Sequence, residues 1–424
     1  MLIDFTVSNF RSIREPVTLS MVEVAPRKGK QKGLKRKRPL LTDEDISPAL
    51  DVPGWDFKLL RTAGIFGANA SGKSNVVRAL LAMVRLLQAG ADDRAAKEWW
   101  LPFRLDSASA TLPTIFAFSA VSEPVVRTRI VFRYKLELLT DSVVYEQLTG
   151  ELSGEEMSFF ERTARPGSER VVQFDERLPL GIREVEANLA PNVPLLHMLI
   201  RSFDLPGLSG LRTWLRNVEG FGHDEAYLAS VATRFHIERK PHFIDQVVHF
   251  VSGHDTAVER LEYEKNSDMK RLGTLRSTHR TADGNISWDV REESAGTQRL
   301  IDLAGPILTA LDDGTLLILD EFGAHLHPHI TRRIVELFQN PLTNPKGAQL
   351  IFNSQDVTLQ ANRLLRRDQI WYTVKGAEGN TELFPLSDFK VRNDLAIDQA
   401  YLDGRFGAVP FFREPYVGFD RGQK

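Results

Sequence analysis

The chain has 424 residues, which is long for one simple core, so two or three structural units are expected. Hydrophobic residues make up 42% and charged residues 26%, and the formal net charge of −2 gives no global pull toward nucleic acid. There is no cysteine, which excludes disulfides, thiol catalysis and zinc–thiolate sites and suits a reducing cytoplasm.

Residues 2–7 alternate apolar and polar, Ser8-Asn9-Phe10-Arg11-Ser12-Ile13 interrupts, and 17–21 resumes, which predicts an opening hairpin. This start lacks the charged lead and long apolar core of a signal peptide. No apolar stretch approaches the ~20 residues of a membrane span, so a soluble, cytoplasmic protein with no membrane partner is expected. The run 27–38 is basic, with Arg27, Lys28, Lys30, Lys32, Lys35, Arg36, Lys37 and Arg38, but it carries no aromatic residue and is followed by Asp43-Glu44-Asp45. It reads either as a solvated loop or as a surface contacting the phosphate backbone of DNA or RNA.

The densest chemical signal comes next. Gly67-Ala68-Asn69-Ala70-Ser71-Gly72-Lys73-Ser74 fits G-x-x-x-x-G-K-[ST], a turn that aims backbone N–H groups at the phosphates of a nucleotide. An apolar strand ends just before it at Phe66. From Asn75 to Gln88, apolar residues at helical spacing predict a helix whose positive end faces the phosphates. In this reading Lys73 reaches the β- and γ-phosphates and the Ser74 hydroxyl holds Mg²⁺.

Residues 115–174 favour strands, with a long alternation over 129–138 and another over 143–148, and so predict an antiparallel meander. The period then changes: 188–218, 225–232 and 243–251 carry helical spacing, and 261–290 returns to short alternating segments. The last third reads as a helix over 298–310, a buried strand over 316–319, a helix over 331–338 and a buried strand over 349–352. No internal repeat is present. The strand Leu316-Leu317-Ile318-Leu319 ends in Asp320-Glu321, the form of a Walker B strand. There Asp320 can ligate Mg²⁺ beside Ser74, and Glu321 can orient the attacking water or accept its proton.

Glu293-Ser294-Ala295-Gly296-Thr297-Gln298-Arg299, placed ahead of a helix and shortly before that strand, resembles an ABC-type signature segment. More narrowly, the chain resembles the RloA-like AAA-type/ABC-type ATPases of bacterial defence systems, relatives of overcoming-lysogenization-defect and chromosome-maintenance ATPase heads. The resemblance rests on Asn9-Phe10-Arg11-Ser12, the 67–75 loop ending in Asn75, the 293–300 segment, residues 320–328, 366–371 and 401–410. It implies an α/β fold: an ABC-type P-loop ATPase head, with a parallel-sheet core plus an antiparallel β-meander and a mainly helical insertion. The expected units are lobe one over 1–180, the insertion over 181–290, and lobe two with a C-terminal extension over 291–424.

The same resemblance implies ATP with Mg²⁺, Arg11 beside the phosphates, a D-loop at 324–328, and a homodimer or higher oligomer. In that assembly Ser294, Gly296 and Thr297 of one copy close over the γ-phosphate held by another. His325, His327 and His329 are spaced around a proline in a way that does not suit a metal shell. Gln355 occupies the position where such ATPases usually carry a switch histidine, and glutamine can hydrogen-bond a phosphate or a water but cannot become a cation. Gln147 is a Q-loop candidate by chain order alone. The implied function is a sensor or regulatory ATPase that controls a separately encoded nuclease or toxin in anti-phage defence. Two other readings stay open: a DNA-repair-type clamp, and a non-hydrolysing nucleotide-gated interaction module.

Overall fold

The computed structural model describes residues 1–409 apart from 25–47, 91–100, 123–128, 141, 153, 165, 166, 168, 177, 180, 223, 224, 255, 256, 267–271, 283, 362, 363 and 391–394. The basic run 27–38 and Pro410 therefore lie outside the described residues.

The opening alternation folds as β1 (Leu2–Ser8) and β2 (Val17–Ser20), paired antiparallel with Phe5 opposite Leu19. A short ribbon, β3 (Ala49–Asp51) with β4 (Lys58–Leu60), leads into β5 (Thr62–Gly67), all of whose residues are buried. The loop that follows opens α1 (Lys73–Ala89), which buries Val76, Val77, Leu80, Leu81, Val84 and Leu87. The predicted meander is β6 (Thr114–Val121), β7 (Val131–Leu139), β8 (Ser142–Leu152), β9 (Glu155–Thr163) and β10 (Val171–Phe174). Pairing of β1 with β6 joins meander and hairpin into one seven-stranded antiparallel sheet, in the order β10-β9-β8-β7-β6-β1-β2.

Helices α2 (Gly181–Ala187), α3 (Leu195–Ser202) and α4 (Ser209–Asn217) come next, then β11 (Glu219–Phe221), α5 (Ala226–Arg239) and α6 (Phe243–Ser252). A small antiparallel sheet of β12 (Arg260–Glu264), β13 (Thr274–Thr281) and β14 (Gly284–Asp289) precedes α7 (Ala295–Asp313). The remaining elements are β15 (Leu316–Leu319), α8 (Pro328–Gln339), β16 (Gln349–Asn353), β17 (Ile370–Lys375), β18 (Thr381–Pro385) and α9 (Ile397–Leu402). The second large sheet has the order β11-β15-β16-β5-β17-β18 and is parallel except for its last pair. A parallel core and an antiparallel meander thus share one α/β molecule, as the sequence predicts.

The segment 181–290 divides between two hydrophobic cores at β11. Ile182, Leu195, Leu199, Leu211 and Trp214 pack into the core of the meander, where the Trp214 ring lies 5.6 Å from that of Phe118. Ala229, Ile237, Phe243 and Val247 pack instead with Leu300, Leu303 and Ile307 of α7. The helices also bind the meander through a buried charge. The Glu146 carboxylate accepts from the N–H groups of Leu195 and Leu196 at 2.7 and 2.8 Å and from the Tyr134 hydroxyl at 2.8 Å. Burial pushes its pKa up, against the pull of those amides and of Arg162, and the two amide bonds make Glu146 an N-terminal anchor for α3.

Candidate nucleotide site

Parallel strands deliver their C-terminal ends to one edge of the sheet, and that edge is where open α/β sheets bind ligands. Strand β5 lies between β16 and β17, with β15 beyond β16, so Gly67, Asp320 and Asn353 emerge together. The loop after β5 turns through Ala70 (φ 62°) and Gly72 (φ 104°) to start α1. Gly72 is required twice over: its φ is left-handed, and a Cβ there would overlap the Thr381 side chain.

The Lys73 side chain arches back over the loop and donates to the carbonyls of Gly67 and Ala68 at 2.8 and 2.9 Å. Burial lowers its pKa, and the charges of Glu321 and Asp320 offset part of that shift. A scaffold of hydroxyls fixes the loop from outside. Ser71 Oγ meets Thr373 Oγ1 at 2.6 Å, Thr381 Oγ1 donates to the Ser71 carbonyl at 3.0 Å, and Ser12 Oγ meets Thr381 Oγ1 at 2.7 Å. Asn75 Nδ2 donates to Ser12 Oγ at 2.6 Å, which ties the turn containing Arg11 to the first turn of α1. Arg11 itself is half-buried with φ 51°, its amide bonded to the Leu101 carbonyl at 2.7 Å.

Asp320 is fully buried at the end of β15. Asn353 organises its surroundings: its side-chain N–H donates to Asp320 Oδ1 and, at 3.4 Å, to Ser74 Oγ, and its side-chain carbonyl accepts from the Glu321 N–H at 2.7 Å. Glu321 is held in a left-handed conformation, φ 54°, that turns its side chain out of the strand path. Asp320 Oδ2 has no hydrogen-bond partner, and the closest cation, Arg78 Nε, stands 3.8 Å away. A buried carboxylate oxygen without a donor, sharing one amide with the Ser74 hydroxyl, is a hard oxygen pair that fits a magnesium ion.

The segment expected to form the other half of the site sits at the exposed N-terminus of α7. Ser294 Oγ caps that helix, accepting from the Thr297 N–H at 3.2 Å and meeting Thr297 Oγ1 at 2.9 Å. The Gly296 backbone lies against the carbonyl of His325, so the 324–328 turn and this helix end form one surface. Glu293 anchors the entry to α7, its carboxylate accepting from Ser277, His279 and Trp288 of the small sheet. His327 caps α8, its Nδ1 accepting from the His329 N–H at 3.2 Å, and among the described residues no group of His, Asp and Glu is arranged to hold a metal by itself. Gln355 is exposed just past β16. Gln147 stands in mid-strand on β8, paired with Lys135 and Glu161, and not on a loop.

Comparison with known families decides the identity. The family described as "AAA domain, putative AbiEii toxin, Type IV TA system" matches residues 63–361. The chain belongs to this AAA-domain family. No curated protein matches the sequence. Among solved structures, "Crystal structure of the SmcHead bound to the C-winged helix domain of ScpA" aligns at a TM-score of 0.45 and 14% identity, over 94% of this chain and 99% of that one. Among the described residues of the AAA domain, no helix is long and apolar enough to cross a membrane.

Four residues of the AAA domain's site escape a reading of local pattern: Ser12, Asn353, Thr373 and Thr381. Asn353 stands at the end of a predicted strand, where a polar side chain after a buried run was the available signal. The other three act through bonds to residues distant in the chain. Replacing Asn353 by Leu should leave both Asp320 and the Glu321 N–H short of partners, at about 2–4 kcal/mol of stability for two buried polar groups. Urea melts of Asn353→Leu against wild type measure this directly, and an unchanged midpoint would remove Asn353 from its organising role.

Proposed function

We propose that this AAA domain binds and hydrolyses ATP at a site completed by a second copy of the chain, and uses the cycle to control a separately encoded nuclease or toxin. The observation that carries the catalytic half is the convergence of the Ser74 hydroxyl, the Asp320 carboxylate and the Glu321 backbone N–H on the Asn353 side-chain amide, with the charges of Glu321 and Asp320 acting on Lys73.

The 67–74 loop offers its amides to the phosphates, with the dipole of α1 behind it. Lys73 pairs with the β- and γ-phosphate oxygens, and Arg11 adds a cation from the adjoining turn. Ser74 and Asp320 would hold Mg²⁺, which when bound neutralises charge on the β- and γ-oxygens. Glu321 orients a water toward the γ-phosphorus and accepts its proton as the bond to the β-phosphate oxygen breaks, giving ADP and phosphate. Gln355 supplies a neutral hydrogen bond where a switch histidine could become cationic, which favours slow turnover.

Support for the second copy comes from α7. Its capped N-terminus and its Ser294 hydroxyl are exposed, and exposed helix N-termini are suited to phosphate. Ser294, Gly296 and Thr297 of one copy would close over the γ-phosphate on the other. The family name, with its toxin and toxin–antitoxin terms, supports the regulated-effector role, as does the resemblance to RloA-like defence ATPases. Gln355 also keeps a second reading in view, a nucleotide-gated module that binds ATP and releases no phosphate.

Glu321→Gln tests the assignment. It keeps the size and the backbone hydrogen bond to Asn353 but removes the proton acceptor, so turnover should fall by ~10²-fold or more while ATP stays bound. Size-exclusion chromatography with light scattering should show an ATP-stabilised dimer of the variant. Wild-type turnover in Glu321→Gln would remove Glu321 as the base, and a wild-type protein with tight ATP binding but no phosphate release would select the module.

A further inference from the structure

Helix α7 contains a proline, Pro306, in its interior. Proline has no N–H, so the Asp302 carbonyl, one turn back, loses its normal helical donor. The missing donor comes from another helix. Thr233 Oγ1 of α5 donates to the Asp302 carbonyl at 2.7 Å, and the same oxygen accepts from the Gly305 N–H at 3.0 Å. Thr233 is 1% exposed, and a Cβ on Gly305 would collide with its backbone and side chain, so the two helices approach as closely as glycine allows.

The other end of this arrangement reaches the phosphate-binding half of the chain. Glu225, which begins α5, forms a two-pronged ion pair with Arg85 of α1, with Nη2 to Oε2 at 2.6 Å. Just before it, the Phe221 carbonyl on β11 accepts from the Asp320 N–H at 3.0 Å, and Arg85 also donates to the Gly220 carbonyl at 3.3 Å. Phe221, Glu225 and Thr233 therefore touch the Asp320 backbone, the P-loop helix and the break in α7.

We propose that Thr233 is a positioning residue: by completing α7 at Pro306 it sets the direction of residues 294–304, and with them the face that Ser294, Gly296 and Thr297 present to a second copy. Interior prolines kink helices, and a kink left without its bridging hydroxyl is free to vary in angle. The Arg85–Glu225 pair makes that direction answer to α1. The inference rests on the two-copy reading for its effect on turnover, but not for its structural part.

The test uses Thr233→Val, which keeps the shape and loses both bonds, and Thr233→Ser, which keeps the hydroxyl. Thr233→Val should lower kcat by about tenfold and leave the KM for ATP within about twofold, because the P-loop half is untouched. Thr233→Ser should restore kcat. Hydrogen exchange of the 295–305 amides, measured without nucleotide, should be faster in Thr233→Val and normal in Thr233→Ser. Adding Pro306→Ala to Thr233→Val gives the Asp302 carbonyl a donor of its own. The double variant should therefore recover, and it carries the test if the valine protein folds poorly. Unchanged exchange in Thr233→Val, or a kcat loss that neither serine nor Pro306→Ala repairs, would overturn the proposal. Faster exchange in Thr233→Val, in a protein whose wild type never hydrolyses ATP, would leave the Thr233 bridge standing and defeat the ATPase reading alone.

Discussion

Lys73→Ala is expected to end ATP turnover and to weaken ATP binding by about a hundredfold. Lys73 is 8% exposed and its ammonium is bonded to the carbonyls of Gly67 and Ala68, so it is already aimed at the loop's interior. Alanine removes the one cation of the loop itself. A hydrogen bond to a charged group contributes about 1.5–3 kcal/mol, which sets the scale of the binding loss. The effect on turnover should be larger, because the same charge stabilises the phosphoryl group as it transfers. The fold should survive, since Gly72, Ser71 and the hydroxyls of Thr373, Thr381 and Ser12 hold the loop without help from Lys73. Isothermal titration with Mg·ATP and a phosphate-release assay, with circular dichroism as the folding control, measure all three. Retained turnover in a folded Lys73→Ala protein would contradict the site.

The parts of this site that the sequence exposes are those encoded in consecutive residues. The loop 67–74, the buried strand ending in Asp320 and Glu321, and the helix cap at Ser294 each carry their chemistry in a short window, and each stands in the local structure its pattern predicts. What local pattern could not show is which distant residues hold these pieces. Asn353 bridges Ser74 and Asp320 across 279 and 33 positions, and Ser12 meets Thr381 across 369. Such bonds have no periodicity, because only the completed sheet brings their partners together.

The fold shows the same division. Strands with clean alternation or long apolar runs were legible, and so was the meander. Strand β11 was not: it has three residues, lies in the gap between two stretches of helical spacing, and pairs in parallel with β15. The turn at Pro306 is a related case. The helical spacing over 298–310 runs through Pro306, but local pattern does not show that Thr233, 69 residues before Asp302, supplies the hydrogen bond the proline cannot make.

The opposite loss is expected from Ser294→Arg. Ser294 is exposed and its hydroxyl caps α7, so the local cost of replacement is about 1 kcal/mol, too little to unfold the protein. An arginine at this helix end would fill the space into which a γ-phosphate must fit and would obstruct approach of the two copies. ATP binding by the 67–74 loop should stay within about twofold, since that loop belongs to the other half-site, while turnover should fall as far as in Lys73→Ala. One variant thus loses nucleotide and the other keeps it, and neither turns over.

These two variants together give the most direct test of a site shared between copies. Lys73→Ala protein retains a sound Ser294 face, and Ser294→Arg protein retains a sound phosphate loop, so a mixed pair contains one complete site. With random pairing of equal amounts, half of the dimers are mixed and each has one working site of two, so turnover should return to about a quarter of wild type. Phosphate release measured on the separate variants and on their mixture decides the matter. Recovery in the mixture is the predicted result, and a mixture no more active than its inactive components would contradict the shared site.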